Sequence, residues 1–213
     1  MEHGTLVQIN KSLAQFHENY IMDAKLGQGA FSVVHRCSRR KDGLIFAVKL
    51  INIRPLRLRQ QFDMSRLHRE VDIMSRISHP GIIKLYEVFE DSETMMLVME
   101  YADGVDLFDS ILQEKSYSEI TARPIFHQLT TALAYLHSNS IVHRDVKPEN
   151  VLIVKSPHPP LAGSPVPEHT PVVKLLDFGL SKVIDEHGST AKSFVGTPCY
   201  LAPEVEGLRF QPD

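Results

Sequence analysis

The sequence predicts an α+β chain in two parts, an antiparallel β-rich half carrying one helix and then a mainly helical half. Three observations carry this. Strand-like runs broken by glycine turns fill residues 20–50, the apolar period becomes helical over 64–77, and one long amphipathic stretch spans 119–138. Size and composition agree: 213 residues, 43% of them apolar, make one large domain or two small lobes and are too apolar for a disordered chain.

The β-rich part begins with Tyr20-Ile21-Met22, which leads into Gly27-Gln28-Gly29. Val33 to Cys37 and, after the turn Lys41-Asp42-Gly43, Ile45 to Lys49 complete a predicted antiparallel meander. Leu67, Val71, Met74 and Ile77 then fall on one helical stripe, which His79-Pro80-Gly81 stops. Strands follow around 83–89 and 95–100, joined by the acidic turn 90–93. Past Tyr101 the chain turns helical; Ile125, Leu129, Leu133 and Leu136 share a face of the 119–138 helix, and Ser118 is its predicted N-cap. Pro124 lies past the first turn, which predicts a later helix start or a kink there. Six prolines crowd residues 155–172, so this segment is predicted to be a mobile surface loop between short strands at 151–154 and 172–176.

Composition also excludes function classes. No apolar run is long enough to span a membrane, and the first residues have neither the basic nor the apolar region of a secretory signal. A formal charge of −3 argues against sequence-independent nucleic-acid binding. Cys37 and Cys199 are far apart and form no CxxC pair, so a reducing compartment, cytoplasmic or nuclear, is expected.

Candidate chemistry sits at five places. Gly27-Gln28-Gly29-Ala30-Phe31-Ser32-Val33-Val34 is a glycine-rich turn between strands, which lets backbone approach phosphates; alone it is more often a plain hairpin. Lys49 ends an apolar strand and Glu70 lies on the 64–77 helix; together they fit an ion pair that holds an ammonium for phosphates. The octapeptide His143-Arg144-Asp145-Val146-Lys147-Pro148-Glu149-Asn150 is decisive. It supplies a carboxylate to accept a hydroxyl proton, a lysine to neutralise a γ-phosphate and an asparagine to hold a metal. Asp177-Phe178-Gly179 offers a second metal carboxylate, and a polar segment with Ser189, Thr190, Ser193 and Thr197 runs from there to Ala202-Pro203-Glu204.

In this order and at these spacings the motifs resemble those of a eukaryotic serine/threonine protein kinase, over about Tyr20 to Glu204. Gly196 to Glu204 and Leu107-Phe108-Asp109 are similar to the calcium/calmodulin-dependent kinase group, including its checkpoint-kinase-like members. The resemblance implies a bilobal kinase fold: an N-terminal extension at 1–19, an N-lobe at 20–100, and a C-lobe at 101–213 that stops short after the Ala-Pro-Glu and carries the proline-rich loop. It implies ATP and Mg²⁺. Leu26, Val34, Ala47 and Leu152 would sandwich adenine, with Gly27, Gln28, Gly29, Ala30, Phe31 and Ser32 over the phosphates. Met99 would be the gatekeeper, Glu100 to Ala102 the hinge, and Asp106 a contact to ribose or to a basic substrate residue. Lys49 would pair with Glu70, Asp177 and Asn150 would hold Mg²⁺ with Glu149 beside them, and Asp145 would orient the hydroxyl with support from Lys147 and Thr197.

The implied partners are a protein substrate and an activating kinase acting on Ser193, whose phosphate would meet Arg66, Arg144 and Lys182. Nucleic acid and membrane are not expected partners. The alternative is a truncated kinase-like product that binds nucleotide or a partner with little or no turnover. A small-molecule phosphotransferase shares part of the aspartate logic but rarely the whole Asp-x-Lys-Pro-x-Asn string.

Overall fold

The structure, a computed structural model, describes residues 8–29, 31–57, 64–154, 171–178, 182–183 and 197–201. Ala30, residues 155–170 of the proline-rich loop, Gly179, Ser189, Thr190, Ser193 and Ala202-Pro203-Glu204 lie outside them, as do the side chains of Arg66 and Lys182. The chain divides into two compact units: Met1–Ser78 with Ile83–Ala102, and His79–Ile82 with Asp103–Asp213.

The first unit is built on a six-stranded sheet. Its strands are β1 (Gln8–Lys11), β2 (Tyr20–Gln28), β3 (Ser32–Arg39), β4 (Ile45–Asn52), β5 (Leu85–Glu90) and β6 (Thr94–Glu100), in the order β1-β5-β6-β4-β3-β2. Every neighbouring pair is antiparallel except β1 with β5. Val34 stands opposite Lys49, Lys49 opposite Leu97, and Ala47 opposite Met99, so these five side chains share one face. The alternate residues Cys37, Phe46, Val48, Met96 and Val98 are buried on the other face.

That second face is roofed by the segment before Tyr20, expected only as an N-terminal extension. Helix α1 (Leu13–Asn19) starts at Ser12, whose hydroxyl accepts from Gln15 N–H while the Gln15 side chain accepts from Ser12 N–H. This capping box stabilises a helix otherwise too short to persist. Phe16, fully buried, stacks on Tyr20 at 5.3 Å and meets Phe89 edge-on at 5.4 Å. The burial of this aromatic cluster raises the Tyr20 phenol to about 12. Lys11 of β1 is paired with Glu87 at 3.1 Å. Helix α2 (Ile53–Arg57) follows β4, and helix α3 (Met64–Arg76) buries Leu67, Glu70, Val71, Ile73 and Met74. The stripe predicted for α3 is therefore present, with a carboxylate inside it.

The second unit holds α4 (Leu107–Glu114), α5 (Glu119–Ser138) and two small sheets: β7 (Gly104–Asp106), β9 (Val151–Val154) and β10 (Val172–Leu175) in the order β10-β9-β7, and β8 (Ile141–Val142) with β11 (Lys182–Val183). Gly104 is required by packing: a Cβ there would lie 2.3 Å from the Ile153 carbonyl oxygen. Helix α5 begins at Glu119, directly after the predicted N-cap, so of the two outcomes expected from Pro124 the later start does not occur. Ser118 caps it: its Oγ and its carbonyl both accept from Thr121 N–H, and the carbonyl also accepts from Ala122 N–H. The proline withholds a donor only from the Ile120 carbonyl, on a residue 86% exposed that water can serve. None of the helices among the described residues is long and apolar enough to cross a membrane.

Candidate active site

In the first unit, Lys49 Nζ lies 3.2 Å from Glu70 Oε1. The glutamate is 7% exposed, and a carboxylate held that deep is stable only with a partner, so the pair fixes the ammonium on the sheet face it shares with Val34 and Ala47. The hairpin between β2 and β3 is closed by Gly29 N–H donating to the Ser32 carbonyl at 2.8 Å. A Cβ on Gly29 would sit 2.9 Å from Ser32 Oγ, so a side chain at this position would require the serine to move. Leu26 is 47% exposed near the start of that loop, and Ala47 is buried. Glu100 N–H donates to the Lys84 carbonyl at 2.8 Å, which ties the end of β6 to the residue before β5. A cavity of about 420 Å³ is lined by Gln28, Phe31, Val33, Leu50 and Pro55. It opens on the face opposite Lys49, because Val33 and Leu50 alternate with Val34 and Lys49; the glycine-rich loop contributes Gln28, Gly29, Phe31 and Ser32 to its lining, and neither Lys49 nor Glu70 lines it.

In the second unit the octapeptide folds around one carboxylate. Asp145 Oδ1 accepts from Thr197 Oγ1 at 2.7 Å and from Thr197 N–H at 3.1 Å. Its Oδ2 accepts from Asn150 Nδ2 at 3.0 Å and pairs with Lys147 Nζ at 3.2 Å. Lys147 Nζ also donates to Thr197 Oγ1 at 2.8 Å, so Lys147, Thr197 and Asp145 form a closed ring. Burial pushes the Asp145 carboxyl up, but donors from Thr197, Lys147 and Asn150 outweigh it and hold the group below the ordinary carboxylate range.

His143 props this arrangement from beneath. It is 1% exposed, its Nδ1 accepts Asp145 N–H at 3.3 Å, and its Nε2 donates to the Leu176 carbonyl at 2.9 Å. Burial lowers its affinity for a proton, so it stays in the neutral form that this acceptor–donor pattern needs. Its ring meets the fully buried Phe178 at 5.0 Å.

Asp177 follows Leu176 with φ +55°, and Arg144 has φ +67°. Both are left-handed positions unusual for side-chain-bearing residues, and both flank the groups just described. The Asp177 carboxylate and the Asn150 carboxamide carry oxygen donors of the kind that suits a hard divalent cation, which would complete its shell with phosphates and water. Asn150 Nδ2 is already directed at the Asp145 carbonyl and carboxylate, at 2.8 and 3.0 Å, which leaves Oδ1 as the atom of the right chemistry for a metal. Among the described residues no cluster of three His, Cys, Asp or Glu side chains forms a protein-only metal site.

Other predicted residues have different surroundings. The Asp106 carboxylate caps α4 by accepting Asp109 N–H at 2.9 Å. Glu149 is exposed and lies close enough to Tyr200 to add to the upward push that burial gives its phenol. Leu152 is half-buried on β9.

Comparison with known proteins agrees with this geometry. The protein kinase domain family matches residues 20–209. The chain is 39% identical to calcium-dependent protein kinase 5 of Plasmodium berghei over 94% of this chain and 32% of the relative. It is 37% identical to a probable myosin light chain kinase of Dictyostelium discoideum over 96% of this chain and 60% of the relative. It is 39% identical to calcium/calmodulin-dependent protein kinase type IV of Mus musculus over 90% of this chain and 37% of the relative. The chain thus spans from about a third to three-fifths of the length of these relatives. With the whole ordered set of motifs inside the matched region, the chain belongs to the protein kinase domain family.

Proposed function

We propose that the chain is a serine/threonine protein kinase that transfers the γ-phosphoryl group of ATP to hydroxyls of protein substrates. The observation that carries this reading is the fully engaged Asp145: two donors on each carboxylate oxygen fix its plane and keep it ionised near pH 7. A carboxylate so held can accept a hydrogen bond from a substrate hydroxyl and receive its proton as the oxygen attacks. Lys147, which bonds both Asp145 and Thr197, supplies positive charge for the transferring group. Lys49, secured by Glu70, holds nucleotide phosphates in line. Asp177 and Asn150 are the residues that would hold Mg²⁺; when bound, the ion neutralises charge on the phosphate oxygens. Leu26, Val34, Ala47 and Leu152 receive the base, with Glu100 to Ala102 as the hinge, and the glycine-rich loop covers the phosphates.

The printed names of the relatives, all protein kinases, support this reading. The alternative of nucleotide or partner binding with little turnover has no observation in its favour, because the carboxylate, lysine, threonine and asparagine are all present and mutually bonded. Ser193 remains the proposed target of an activating kinase, on its position four residues before Thr197.

The test pairs two variants. Asp145→Asn is expected to abolish turnover while leaving ATP affinity within a few-fold, and Lys49→Met to weaken productive ATP alignment. An Asp145→Asn protein with near-normal phosphotransfer would overturn the assignment.

A further inference from the structure

Strand β10 has β9 on one side only, so the backbone groups on its other edge need partners from elsewhere. Alternation along the strand puts those groups on Pro171, Val173 and Leu175. Leu175 N–H donates to the Gly81 carbonyl at 2.8 Å. The Pro171 carbonyl and the Val173 N–H are both met by one side chain. Gln128, midway along α5 and half-buried, donates from Nε2 to the Pro171 carbonyl at 2.7 Å and accepts Val173 N–H on Oε1 at 3.1 Å. Nε2 also reaches the Pro124 carbonyl of its own helix at 3.3 Å. A carboxamide offers a donor and an acceptor in one plane, as a peptide unit does, so Gln128 stands in for one residue of a missing neighbouring strand. Glutamate keeps the acceptor but has no donor when ionised, methionine fills the same volume with neither, and asparagine is a methylene short.

This grip has a consequence three residues on. Leu176 N–H donates to the Asn150 carbonyl at 2.8 Å, its carbonyl accepts from His143, and Asp177 follows in its left-handed conformation. The β9–β10 ladder that sets this register is four residues long, from Val172 opposite Val154 to Leu175 opposite Val151. In so short a ladder two further bonds on the open edge weigh heavily, and a slip of one residue would turn every following side chain to the opposite face.

We propose that Gln128 is a positioning residue for Asp177, an amide clamp on the open edge of β10 that fixes the register from which the carboxylate is presented. This rests on the reading of Asp177 as a Mg²⁺ ligand. Gln128 itself touches no reacting group; it acts through β10 and Leu176.

The test is a thermal-shift titration of the full chain with ADP alone and with ADP plus Mg²⁺, together with hydrogen exchange at Val173. In the wild type Mg²⁺ adds to the stabilisation by ADP. In Gln128→Met the affinity for ADP alone is expected to stay within about twofold, while the Mg²⁺ concentration for half the added shift rises about tenfold and Val173 exchanges faster. Gln128→Glu, which keeps the acceptor for Val173, decides the matter if the methionine variant does not fold; its Mg²⁺ requirement is expected to rise as well. The proposal is overturned if the folded variants titrate with Mg²⁺ like the wild type, or if ADP alone and the Mg²⁺ increment weaken together, which marks a general structural role. A wild type with no Mg²⁺ increment refutes the metal role of Asp177 itself, and that result is distinct from either of the others.

Discussion

Replacing Thr197 by valine removes a hydroxyl that closes the ring around Asp145 and keeps the shape of the side chain. Two bonds are lost, Thr197 Oγ1 to Asp145 Oδ1 at 2.7 Å and Lys147 Nζ to Thr197 Oγ1 at 2.8 Å. Bonds to charged groups contribute about 1.5–3 kcal/mol each. The full sum overstates the effect, because Lys147 retains Asp145 Oδ2 at 3.2 Å and Asp145 Oδ1 retains Thr197 N–H at 3.1 Å. One charge-assisted bond, about 2 kcal/mol, is the reasonable net loss, which corresponds to about 30-fold in rate if it falls on the transition state. The sign of the pH effect follows from the same bonds. The Thr197 hydroxyl is among the donors that hold the Asp145 carboxyl down against burial, so its removal raises that group's pKa. The acid limb of the profile for kcat/KM then moves to higher pH. The assay is phosphotransfer to a mixed-sequence serine peptide library at saturating Mg-ATP, with wild type, Thr197→Val and Thr197→Ser compared across pH. Serine keeps the hydroxyl and is expected to stay near wild type. A valine variant within threefold of wild type and with an unmoved acid limb would refute the ring as the device that aligns Asp145.

Two further outcomes concern the scaffold. Gly104→Ala pushes a methyl group to 2.3 Å from the Ile153 carbonyl oxygen, so β7 must separate from β9; a loss of about 1–3 kcal/mol is expected in urea denaturation. Phe16→Ala empties a fully buried aromatic site between Tyr20 and Phe89 and is expected to cost about 3–5 kcal/mol, read as a lowered denaturation midpoint with an unchanged slope.

The parts that could be read from sequence are those whose signal is local. Helix α3 announces itself through Leu67, Val71 and Met74, and the octapeptide from His143 to Asn150 packs a carboxylate and three of its supporting groups into eight consecutive residues. Thr197 bonds Asp145 across 52 residues, a separation that periodicity cannot bridge, and only the resemblance pointed to it. Helix α1 is seven residues with one buried side chain, too short for any period to show, although Ser12 and Gln15 carry the spacing of a capping box. Gln128 left no trace, because an amide on a partly buried helix face looks the same whether it meets water or clamps a strand 43 residues away. The start of α5 at Glu119 after Ser118 is legible in the sequence, and Pro124 does not delay it, because the carbonyl it leaves without a donor belongs to Ile120, an exposed residue.

The match to the kinase family begins at residue 20, one residue after α1 ends. A fragment cut at that boundary would retain every motif yet lose Phe16, leaving Tyr20 and Phe89 without their cover. The unit that folds and the unit that descent makes recognisable therefore have different edges in this chain. A boundary drawn by homology alone would yield a protein prone to self-association, and its failure would say nothing about the chemistry it carries.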